Sequence, residues 1–144
     1  MARKRRTKAS PELLSRNVEV TSFSARMGIR AEHPRGGEPL IETGPWLELR
    51  GRLDAPVKEV SDVLISMFPE DKVRVGTRQP VSVGSIIALK PEMSVVLTWA
   101  HRDFDRLWSF ALSRRLGFAY LCFTTPRYGK ALVVSASFST EAED

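Results

Sequence analysis

The sequence predicts a mainly β domain, an antiparallel sandwich or partly open barrel of about seven strands with one helix in its C-terminal half. Three observations carry this. Apolar residues recur at period two through most of the chain, one stretch alone shows a clear helical stripe, and Gly and Pro residues punctuate the alternating runs. At 144 residues the chain has the usual size of one domain and can bury a core without staples.

The first strand is read from Phe23 to Arg30, where Phe23, Ala25, Met27 and Ile29 share one face and Ser24, Arg26 and Arg30 the other. That is the pattern of a half-buried strand. Val18 and Val20 are out of phase with it, which calls for a bulge or bend near Thr21 and Ser22. A loop with His33, Gly36 and Gly37 follows, then a second strand from Trp46 to Leu53 with Leu47, Leu49 and Leu53 inward.

Residues 54–68 admit two readings. Asp54-Ala-Pro-Val opens like a helix, with Val57, Val60, Leu64, Met67 and Phe68 on one helical face. Yet Val63, Ile65 and Met67 also alternate with Asp62 and Ser66 as in a strand. The helical choice leads to an alternative architecture, an α+β layer in which helices 56–68 and 103–116 pack on one face of a single antiparallel sheet.

Two strands are expected from Val81, Val83, Ile87 and Leu89 and, after Pro91, from Val95, Leu97 and Trp99. The clear helix is 103–116, where Phe104, Leu107, Trp108, Ala111, Leu112 and Leu116 form a stripe. Asp103 and Asp105 suit its first turn, Arg114 and Arg115 its last, and Gly117 a C-terminal cap. The runs 118–124 and 131–138 are expected to pair as a hairpin, with Pro126 and Gly129 supplying its turn chemistry.

Charge is concentrated at one end. Residues 1–16 hold Arg3, Lys4, Arg5, Arg6, Lys8 and Arg16 against Glu12, which accounts for the whole net charge of +5, while residues 17–144 carry 16 basic and 16 acidic groups. The organisation expected is a disordered basic tail over 1–16, a single globular domain over 17–140 and a solvated acidic end at 141–144. No apolar segment is long enough to span a bilayer, and the basic start lacks the hydrophobic core of a secretory signal. Cys122 is the sole cysteine, which excludes an intrachain disulfide and fits a cytoplasmic protein.

No motif specifies a reaction, and no cofactor or metal is expected. His101-Arg102-Asp103 matches the kinase catalytic tripeptide only in letters, since the chain lacks the length, glycine-rich loop and Asp-Phe-Gly of that fold. These residues read better as a helix entrance with Asp103 capping free amides. His33 and His101 lack helical His-x-x-x-His spacing, Cys122 sits mid-strand without basic neighbours, and the glycines form no phosphate loop. An enzyme would have to assemble His33, His101, Cys122 and carboxylates from distant positions.

Candidate binding residues are therefore Arg3, Lys4, Arg5, Arg6 and Lys8 in the tail, Arg127, Tyr128 and Lys130 at the hairpin tip, and Trp46, which alternation places on the wet face of its strand. The leading expectation is a non-enzymatic interaction module acting through a protein partner or self-association. The alternative is nucleic-acid binding through the tail and the 126–130 tip. No membrane partner is expected.

Overall fold

A computed structural model describes residues 12–32, 37, 40–70 and 82–143. Among these residues seven strands and one helix follow in the order β1 (Leu13–Glu32), β2 (Leu40–Val57), β3 (Val60–Pro69), β4 (Gly84–Ala88), β5 (Met93–Trp99), α1 (His101–Leu112), β6 (Phe118–Thr124) and β7 (Ala131–Ser139). The strands close into a barrel in the order β1-β2-β3-β5-β4-β7-β6, with β6 returning to β1. All neighbours are antiparallel except β3 and β5, whose parallel pairing runs from Val63↔Met93 to Pro69↔Trp99. Closure removes the sheet edges that a sandwich would leave open.

Alternation builds the barrel wall. Leu47, Leu49 and Leu53 of β2, Val63, Ile65 and Met67 of β3, and Val95 and Leu97 of β5 point inward and are buried, joined by Leu121 and Phe123 of β6 and Val133 of β7. No polar or charged residue is buried among the described residues, so the lumen is a packed core and chemistry must sit on the outside or at the ends. Gly51 continues the inward phase of β2 because β1 crosses too closely for a side chain. A Cβ there would meet the Glu19 carbonyl oxygen and would stand 2.6 Å from Val18 Cγ1.

Residues 54–68 are strand on both sides of a two-residue turn, and the α+β alternative with a second helix is thereby overturned. Val57 pairs with Val60 across Lys58 and Glu59, which both take positive φ (45° and 69°), the signature of a type I′ hairpin. The helical reading failed because burying Val63, Ile65 and Met67 at period two closes the barrel, whereas a helix there would leave β2 and β5 without their shared neighbour.

Five local expectations also change. β1 begins at Leu13, and residues 13–16 of the expected tail pair with Leu121–Thr124 while Leu14 packs on the core. In β4 the inward side chain is Ile86, with Ile87 outside. A register shift between Ile86 and Ala88 then returns Leu89 to the interior.

α1 covers His101–Leu112, not 103–116. Its N-cap is Ala100 without a side-chain bond, so Asp103 is a first-turn acid and not a cap. Arg114, at φ 62°, makes the left-handed turn after the helix, and its amide donates to the Ala111 carbonyl at 3.1 Å. Gly117 is instead held in the sheet, its amide donating to Ser139 O at 3.0 Å. The stripe holds in part, since Leu112 is half exposed. Phe104, Leu107 and Ala111 enter the core at the barrel end where β3 and β5 finish.

The bulge expected near Thr21 is present as a register shift between Val20↔Gly51 and Ser22↔Arg50. Val18 is buried ahead of it. The hairpin of 118–124 with 131–139 is also present, its turn formed by Tyr128 (φ 53°) and Gly129 (φ 74°).

Candidate interaction surfaces

Two surfaces stand out, one at each end of the barrel. The first arises because β1 and β2 are much longer than their neighbours. β6 leaves β1 at Glu19↔Phe118 and β3 leaves β2 at Leu47↔Met67, yet β1 and β2 stay paired to Glu32↔Leu40. Residues 26–32 and 40–46 therefore form a two-stranded arm of about 23 Å beyond the wall.

The arm continues the inner face of the barrel into solvent. Phe23 and Ala25 lie opposite Leu49 and Leu47, and the next residues on that face are Met27 and Ile29, opposite Pro45 and Thr43. Met27 is 72% exposed and Ile29 75%. The face expected to be half-buried is thus correctly phased but exposed, and among the described residues no other strand pairs beyond Leu47 and Glu19 to cover it. Pro45 is tolerated because β2 has no outer neighbour at that point.

Trp46 lies on the other face, opposite Arg26. It is 42% exposed and tilts against Phe68, with ring centroids 5.8 Å apart. The wet-face assignment holds, and the indole also braces the arm against β3.

The second surface lies at the opposite end, where the β2–β3 and β6–β7 turns meet. Lys58 Nζ donates to the Pro126 carbonyl at 2.8 Å, which ties the two tips together. Arg127 and Lys130 exchange backbone hydrogen bonds of 2.9 and 3.0 Å, and Tyr128 between them is fully exposed. Thr125 donates from its amide (3.0 Å) and Oγ1 (3.2 Å) to Glu12 O, so the chain enters β1 beside this hairpin. The tail residues Arg3, Lys4, Arg5, Arg6 and Lys8 lie outside the described residues, but the chain joins the barrel at this end.

Sequence reasoning missed Lys58 and Lys90, which line a depression with Tyr128. The available signal was the two-residue gap between Val57 and Val60. It was masked because neither Lys58 nor Glu59 is the Gly or Asn that such a turn favours.

The residues considered for catalysis are not brought together. His101 opens α1 and is exposed, Cys122 is half-buried on the outward face of β6, and His33 lies outside the described residues. Among the described residues no three of His, Cys, Asp and Glu converge as a metal site, and no helix is long and apolar enough to cross a membrane. The exposed ion pair Arg50–Glu92 (3.0 Å) staples β2 to the approach to β5. Comparison of the chain with protein-family models, with curated proteins and with solved structures gives no match.

Proposed function

We propose that the protein is a non-enzymatic interaction module that associates with a second copy of itself through the β1–β2 arm. The observation that carries this is the exposure of Met27 and Ile29 on the same ladder face from which Leu47, Leu49 and Leu53 of β2 enter the core. Among the described residues neither side chain belongs to the core cluster or packs against it, which leaves two large apolar groups available to a partner.

A second copy suits the surface for two reasons. Beyond Val20, whose amide still donates to Gly117 O at 2.9 Å, β1 has lost β6, and two identical open edges pair antiparallel about a two-fold axis, bringing like apolar faces together. The sequence of the arm carries Arg26 and Arg30 against Glu32 and Glu42, so its net charge is zero and no excess of one sign opposes the approach. Covering Met27 and Ile29 contributes roughly 1.5–3 kcal/mol each.

Sedimentation velocity over a dilution series tests this with the full chain and a Met27→Asp/Ile29→Asp variant. The wild type is expected to shift from a larger species to monomer on dilution, and the variant to remain monomeric with an unfolding midpoint equal to that of the wild type at concentrations where the wild type is monomeric. A wild-type monomer at every concentration would overturn the proposal.

A further inference from the structure

We infer that the opposite end of the barrel is a binding site for single-stranded nucleic acid, with Tyr128 as a stacking platform and Lys58, Lys90, Arg127 and Lys130 as phosphate contacts. The site is independent of the arm and does not require self-association.

Its geometry is built by hairpin physics. The positive φ of Tyr128 and Gly129 and the paired Arg127–Lys130 bonds make a tight turn, so the phenol ring is presented on a rigid tip. Two adjoining depressions flank it and share Ile87, which is 53% exposed. One holds Arg127, Lys130 and Leu132, the other Lys58, Lys90 and Tyr128. Their volumes, ≈ 840 and ≈ 660 Å³, lie within the roughly 300–1,000 Å³ of small-ligand sites.

Charge and apolar surface alternate here in the way a single strand requires. Four cations face two carboxylates, Glu12 and Glu59, leaving an excess positive charge for a phosphate backbone. Ile87, Leu132 and the Tyr128 ring offer apolar contact for unstacked bases, which a duplex keeps stacked inside. Glu12, where the described chain enters β1, lies on the rim of the same depression.

Fluorescence anisotropy with labelled oligothymidylate, the matching duplex and phosphatidylserine vesicles as competitor tests the assignment on the full chain. Tyr128→Asn removes the ring while retaining a residue that accepts positive φ. It is expected to weaken oligothymidylate binding roughly ten- to hundred-fold. Arg127→Ser with Lys130→Ser is expected to lower the slope of log affinity against log salt by about 1.4. The Met27→Asp/Ile29→Asp variant is expected to bind as the wild type does, which separates this site from the arm.

Absence of binding, equal or tighter binding of the duplex, or displacement only by vesicles would overturn the inference. So would binding that ignores both hairpin variants and is lost only when Arg3, Arg5 and Arg6 become Gln, because the tail alone would then be the site.

Discussion

The β1–β2 ladder behaves as two different objects along its length. Inside the barrel its inward residues, Val18, Leu47 and Leu49, are fully buried by β3, β6 and the core. Beyond Leu47 the same alternation continues through Met27 and Ile29, but the neighbours are gone. Alternation records which face of a strand is apolar. What covers that face is decided by how many other strands extend as far.

The largest expected contrast is in stability. Leu47→Ala removes a wholly buried side chain and is expected to cost roughly 2–5 kcal/mol, whereas Met27→Ala on the same ladder should change monomer stability by less than about 0.5 kcal/mol. Urea unfolding of both variants checks this. Equal losses would mean that the arm packs on the barrel in solution.

Glycines sharpen the contrast at smaller scale. Gly51→Ala places a methyl group against Val18 and the Glu19 backbone and should destabilise by roughly 1–3 kcal/mol. Gly28→Ala in the arm meets nothing within 4 Å and should stay within about 0.5 kcal/mol. Thermal melts of the pair are sufficient. A tolerated Gly51→Ala would show that the bulge at Thr21 can move.

The smallest effects lie at the tail end of the barrel. Glu59→Gly relieves one positive-φ position and should stabilise by up to about 1 kcal/mol. Glu92→Gln loses an exposed ion pair and should cost less than about 1 kcal/mol, with the difference fading in high salt.

Six of the strands, the bulge at Thr21 and the turn at Gly129 were legible because each has a local signal in spacing or in turn residues. Residues 54–68 were ambiguous because Val57, Val60 and Leu64 satisfy a helical period as well as the strand's, and only the partners on either side decide. The end of α1 was misplaced because Gly117 attracts a cap assignment, while the left-handed position falls to Arg114, which no local preference marks. The uncovered arm had one indirect signal, an alternating run longer than any neighbour could match. Lys58 and Lys90 join Tyr128 by barrel closure, and nothing in their local sequence announces it.

Hydrogen exchange on the full chain at high and low protein concentration tests self-association through the arm most directly. The amides of residues 22–32 that face away from β2 are expected to lose protection on dilution while those of Val63, Ile65 and Leu121 keep theirs. Arm protection that does not change with concentration would contradict the account.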